Sequence, residues 1–157
     1  GCGETPYIKL ITQLWGENML VANATGCSSI YGGNLPSTPY SVNAKGRGPA
    51  WSNSLFEDNA EFGMGLKLAT DKKRELALQY LEELKEEVGA ELYEAIINDN
   101  GKQEVDAQQQ QKNIELLRQR LRGNNSKVAR DLDYLPDNLA VKSVWIFGGD
   151  GWAYDIG

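Results

Sequence analysis

At 157 residues the chain has the size of one ordinary domain, and with 41% hydrophobic and 24% charged residues it has the balance of a globular protein with a real core. Its net charge of −6 argues against nucleic acid, whose phosphates need a basic face, and against an anionic membrane surface. Histidine is absent, which excludes a Ser-His-Asp or Cys-His catalytic unit and a His-rich zinc site within these residues.

Proton chemistry therefore falls to carboxylates, to a cofactor or to another part of a larger protein. No apolar run approaches the length of a membrane span. The first residue is Gly1, no signal-like start follows, and Trp152 to Gly157 run on from an apolar strand without a stop signal. The chain reads as a piece from the interior of something longer. For Cys2 and Cys27 three readings stand open on number alone: a disulfide of a secreted protein, two free thiols of a cytoplasmic one, or two metal ligands. Nothing else looks secreted, so a cytoplasmic setting is expected.

In chain order, Thr5-Pro6 predicts a helix start with Thr5 as N-cap, running to about Trp15 before Gly16. Met19 to Ala22 reads as a buried strand. Residues 18–56 hold only two charged side chains, Lys45 and Arg47, among many Gly, Asn, Ser, Thr and Tyr. Such a segment suits backbone pressed against a ligand or another domain, and equally a glycine-rich surface loop. A helix is expected from near Ser52, carrying Leu55, Phe56 and Phe62. Residues 66–135 are crowded with Glu, Lys, Arg and Gln. Leu81, Leu84, Val88, Leu92 and Ile96, then Ile114, Leu117 and Leu121, recur at helical spacing. Gly101 and Gly123-Asn124-Asn125 read as breaks, and Gln108 to Gln111 as helical positions at most half buried. This middle predicts a charged helical hairpin or small bundle with an architectural role. Val141 to Phe147 reads as a second buried strand. Strands without alternation, separated by helices, predict a parallel α/β sheet.

Each strand ends in an abrupt change of composition: Asn23-Ala24-Thr25-Gly26-Cys27-Ser28-Ser29 after the first, Gly148-Gly149-Asp150-Gly151-Trp152 after the second. Ligands of open parallel sheets bind at the carboxyl ends of strands. Glycines flanking an acid allow close approach to a phosphate, and the carboxylate can hold magnesium, which prefers hard oxygen ligands. Gly-Asp-Gly also makes ordinary turns. Thr25 and Gly26 could bind phosphate at a following helix start, or simply cap that helix beside a buried cysteine.

Gly1-Cys2-Gly3-Glu4-Thr5-Pro6-Tyr7 resembles the proximal-cluster segment of pyruvate:ferredoxin (flavodoxin) oxidoreductases. The run Asn23 to Gly33, then Gly46-Arg47-Gly48-Pro49-Ala50-Trp51 and Ser54-Leu55-Phe56-Glu57-Asp58-Asn59-Ala60-Glu61, is similar to further motifs of that family. Gly149-Asp150-Gly151-Trp152-Ala153-Tyr154-Asp155-Ile156-Gly157 resembles its thiamine motif. The matches come in family order and span the chain.

The resemblance implies a thiamine-diphosphate-binding α/β fold with a mostly parallel sheet. Residues 1–157 would be part of one such domain, and about 66–135 a helical insertion. It implies oxidative decarboxylation of pyruvate on thiamine diphosphate, acetyl transfer to coenzyme A, and electrons passed through 4Fe-4S clusters to ferredoxin or flavodoxin. Cys2 and Cys27 would ligate the cluster nearest the thiamine. Glu4, Thr25, Gly26, Cys27, Gly149, Asp150, Gly151 and Trp152 would meet the thiamine cofactor, with Asp150 on magnesium. Further cluster cysteines are expected just before Gly1 and well beyond Gly157, and an Asn-containing segment completing the magnesium site after Gly157. The glutamate that activates the aminopyrimidine would come from another domain of the same chain, in an enzyme expected to be a homodimer. This segment alone is expected to be inactive and to carry no catalytic residue of its own. The alternatives are another thiamine-diphosphate-dependent 2-oxo acid enzyme and a non-catalytic helical interaction module.

Overall fold

The computed structural model describes residues 2–35, 37–99 and 107–156. They divide into two compact units, residues 1–68 with 142–157, and residues 69–141.

The first unit is built on a three-stranded, all-parallel sheet in the order β2-β1-β3. Strand β1 is Met19–Ala24, β2 is Ala50–Ser54 and β3 is Ser143–Phe147. Val21 stands beside Trp51 on one side and Trp145 on the other; Asn23 stands beside Asn53 and Phe147. Because side chains alternate along a strand, Met19, Val21 and Asn23 share one face and Leu20, Ala22 and Ala24 the other. The Val21 face packs with Ile8 and Ile11 of helix α1 (Thr5–Trp15), Tyr31 of α2 (Cys27–Gly33) and the loop residue Tyr40. Tyr40 stacks on Trp51 with ring centroids 5.1 Å apart. On the opposite face, a Cβ added at Gly63 of α3 (Asn59–Glu83) would lie 3.5 Å from Ala22 Cβ and 2.5 Å from Ile146 Cγ1. Glycine at that position lets the helix approach the sheet closely. The sheet thus carries helices on both faces, as parallel sheets require. The loop after α2 is tied to α1 where Ser41 N–H donates to Thr12 Oγ1 (3.0 Å).

Several expectations need correction. The N-cap of α1 is Glu4, whose backbone is already helical; the Thr5 hydroxyl donates instead to Cys2 O at 2.9 Å, binding the preceding segment to the helix. Residues 50–54 form a strand, and the helix begins only at Asn59. Parallel pairing of β2 with β1 overrides the apolar spacing that suggested a helix from Ser52, and leaves Leu55 exposed in the connection. Strand β3 forms where expected but is mostly not buried: it lies at the edge of the described sheet, with Ile146 exposed and only Phe147 deeply buried.

The second unit is helical. It holds residues 69–83 of α3, then α4 (Lys85–Val88), α5 (Ala90–Ile97), α6 (Ala107–Leu121) and α7 (Lys127–Asp133). Its core is the expected apolar series: Leu81, Leu84, Val88, Leu92, Ile96, Leu117 and Leu121 are all buried and packed together with Leu132 and Leu139. Gly89, with φ +84°, breaks the chain between α4 and α5, where Arg120 donates to Val88 O. The break at Gly123 is present, with φ +89°, and Ser126 caps α7 by accepting from Ala129 N–H (3.1 Å). The expected break at Gly101 lies outside the described residues. Gln110 is 5% exposed, contrary to the expectation for the glutamine run, because its position on α6 turns inward beside Asn113 and Ile114. No helix among the described residues is long and apolar enough to cross a membrane.

The helical unit depends on apolar burial rather than on its surface charges. Leu117→Ala should cost about 2–5 kcal/mol in urea denaturation, whereas Glu86→Ala on the exposed side of α4 should change stability by less than ~0.5 kcal/mol. Equal effects would contradict this assignment of the core.

Candidate functional site

Parallel strands put their carboxyl ends on one edge, and the segments that follow β1 and β3 meet there. A Cβ built on Gly149 would collide with Cys27 Sγ, so the backbone after β3 lies directly against the first residue of α2. The Phe56 ring, from the β2–α3 connection, serves both segments: a Cβ on Gly26 or on Gly151 would lie 3.9 Å from it. The Trp152 ring folds back over Gly148 at the start of a π-helical turn, Trp152–Ile156.

A polar network fixes the end of β1. Asn23 Nδ2 donates to Asn53 Oδ1 across the strands (2.8 Å), Ser29 Oγ reaches the same oxygen (3.2 Å), and Gly26 N–H donates to Ser29 Oγ (3.2 Å). The Thr25 hydroxyl donates to Ser54 O, so it is committed to the β2 end. Sequence reasoning did not place Asn53, Phe56 or Asn59 at the site: Phe56 was expected on a helix face, and the two asparagines carry no periodic signal.

Glu4, half buried, joins this edge. Burial pushes its carboxyl above the ordinary value, the Tyr31 hydroxyl works against that shift, and the nearby Asp150 charge adds to it. Burial likewise raises the Tyr31 and Tyr40 hydroxyls well above the usual tyrosine range, with Glu4 adding to each shift. Tyr31 interacts with both Glu4 and Ser28, whereas Tyr40 Oη and Asn23 Oδ1 are buried without a hydrogen-bond partner. Such orphaned groups are costly unless a ligand or water meets them. Asp150 is exposed. Cys2 and Cys27 are free and exposed, contrary to a disulfide and to a buried cysteine in the Thr25-Gly26-Cys27 segment. Among the described residues no three His, Cys, Asp or Glu side chains gather as a metal site.

Of the residues singled out in the sequence, the structure places Cys27 against Gly149, Gly26 and Gly151 around one aromatic ring, and Glu4 within electrostatic reach of Asp150. Thr25 turns its hydroxyl to β2, and Cys2 stands exposed ahead of α1 with its carbonyl held by Thr5.

The fold and this edge define an open parallel α/β unit with a polar strand-end site, the place where such sheets take ligands. No protein-family model matches the chain. All of it aligns with one segment of pyruvate-flavodoxin oxidoreductases: 58% identity with that of Trichormus variabilis, and 55% with a probable one of Escherichia coli (strain K12). A pyruvate:ferredoxin oxidoreductase of Moorella thermoacetica is 48% identical, again over the whole chain. The chain spans about 14% of the length of these relatives (14%, 13% and 14%) and corresponds to a segment of that kind of oxidoreductase.

The contact of Gly149 with Cys27 yields a direct check. Gly149→Ala should lower the thermal midpoint, and Cys27→Ala in the same chain should restore part of the loss, because the added methyl would then have room. Strictly additive effects of the two changes would show that the segments do not touch.

Proposed function

We propose that this chain supplies part of the thiamine-diphosphate and magnesium site, and two thiolates of an adjacent 4Fe-4S cluster, of an enzyme that oxidatively decarboxylates pyruvate to acetyl-coenzyme A and CO2. Flavodoxin or ferredoxin would take the electrons, in the cytoplasm, in a homodimer whose other domains complete the site. Residues 69–141 would be an architectural insertion in the thiamine-binding domain, close to the 66–135 expected from the sequence. The observation that carries the reading is the convergence of Thr25–Cys27 and Gly149–Gly151 on one sheet edge, in a chain that aligns throughout with pyruvate-flavodoxin oxidoreductases.

The donor set fits the cofactor. Asp150 offers an exposed hard oxygen ligand of the kind magnesium takes, and a second carboxylate, Glu4, lies within its field. Two carboxylates near each other favour a cation at this edge. Glycine at Gly26, Gly149 and Gly151 places no side chain between the backbone and a diphosphate, and at Gly149 a Cβ would collide with Cys27 Sγ. Thiamine diphosphate supplies, when bound, the electron sink that decarboxylation of a 2-oxo acid needs. With its hydroxyl committed to Ser54, Thr25 would contribute through its backbone. Gly151 and Trp152 would line the cofactor's path beside Phe56 and Gly148. Cys2 and Cys27 are free, exposed thiols, available as thiolate ligands. A 4Fe-4S cluster takes about four thiolates, so the remainder would come from elsewhere in the full-length protein.

Asp150→Ala in the full-length protein should weaken magnesium-dependent binding of thiamine diphosphate by more than about tenfold, or ~1.4 kcal/mol, in isothermal titration calorimetry. Unchanged affinity would mean that Asp150 only shapes a turn.

A further inference from the structure

Asn59, the first residue of α3, is fully buried and touches all three strands. Its Nδ2 donates to Phe147 O at the end of β3 (2.9 Å) and to Ala22 O of β1 (3.4 Å). Its Oδ1 accepts from Ser54 Oγ at the end of β2 (2.9 Å), a hydroxyl that also lies 2.5 Å from Leu55 O. Two carbonyl acceptors fix the amide's orientation, because an amide oxygen turned toward them would meet only lone pairs. An apolar side chain could fill the same space but could not bridge the strands. The bridge sits directly behind the candidate site. Thr25–Cys27 begin three residues beyond Ala22, and Gly149-Asp150 begin two residues beyond Phe147. The same connection supplies Phe56, whose ring faces both Gly26 and Gly151.

We propose that Asn59 is a positioning residue for the diphosphate–metal site: by bridging Ala22 and Phe147 it sets the separation between the backbone at Thr25–Cys27 and the carboxylate at Asp150. This rests on the function proposed above. A diphosphate held at one segment and a metal held at the other tolerate little error in that separation, because magnesium demands near-ideal octahedral geometry.

The test uses the full-length protein with three substitutions. Asn59→Asp keeps the shape and the acceptor for Ser54 but sets a carboxylate oxygen, in place of Nδ2, against both carbonyls. Ser54→Ala removes the third arm together with the hydroxyl's contact to Leu55 O and leaves the two carbonyl arms in place. Val21→Ala makes a small cavity in the same sheet and leaves the bridge intact. Two readouts are taken: the thermal midpoint without cofactor, and the affinity for thiamine diphosphate with magnesium, measured well below that midpoint. Asn59→Asp should lose affinity by about 10- to 100-fold, the range for groups that orient metal ligands, while Val21→Ala lowers the midpoint but binds within about twofold of the unaltered protein. If Asn59→Asp does not fold, Ser54→Ala carries the test and should weaken binding by at least about threefold. Asn59→Asp, or in its absence Ser54→Ala, binding as tightly as Val21→Ala would overturn the positioning role while leaving the cofactor site standing. An unaltered protein that binds no thiamine diphosphate would overturn the cofactor reading and this inference with it.

Discussion

The first unit depends on the parallel pairing of β1 with both its neighbours. Val21 to Ala24 are buried, and β1 is hydrogen-bonded on either side in a register that sets Asn23 beside Asn53 and Phe147. Parallel strands must end on the same edge. Whatever follows β1, β2 and β3 in sequence is therefore gathered in one place, although Ser54 and Ser143 are separated by the whole helical unit. Everything at the candidate site follows from that geometry: the contact of Gly149 with Cys27, the shared Phe56 ring, the hydroxyl of Thr25 on Ser54.

The two units divide the chain's chemistry. The helical one holds an aliphatic core under a heavily charged surface, with paired details such as Lys85 over the Tyr93 ring at 4.3 Å. Its stability is a matter of apolar area removed from water. The sheet unit has a smaller aromatic and aliphatic core around Val21 and also buries the polar side chains of Thr12, Asn23, Ser28, Ser54 and Asn59. Buried polar groups stabilise little unless fully satisfied. Asn23 Oδ1 has no hydrogen-bond partner, and Asn23 lies near the end of β1. A fold that needed only a core would fill such positions with aliphatic side chains.

Much of the fold was legible where burial imposes a period. The series Leu81 to Ile96 and Ile114 to Leu121 marked the helical core because one face of each helix must be apolar. Met19 to Ala22 and the run ending at Phe147 marked two strands. Ala50–Ser54 was not legible: its sequence, Ala-Trp-Ser-Asn-Ser, has no apolar run, and it is a strand because β1 offers it a ladder. The break at Gly89 was hidden because the apolar spacing continues across it. The strand-end segments of the site stood out by composition, and Cys27, Gly149 and Asp150 do meet at one edge. The roles of Asn53, Phe56 and Asn59 were not legible, because what makes them important is the partner each finds across the sheet.

The central claim is that the ends of β1 and β3 make one diphosphate–metal site. Its most direct test is a crystal structure of the full-length protein with thiamine diphosphate and manganese in place of magnesium, read by the metal's anomalous scattering. The account predicts a manganese peak about 2.0–2.2 Å from an Asp150 carboxylate oxygen, with the diphosphate against the backbone at Gly26 and Gly149. A peak ligated elsewhere, with Asp150 remote from both metal and diphosphate, would contradict it.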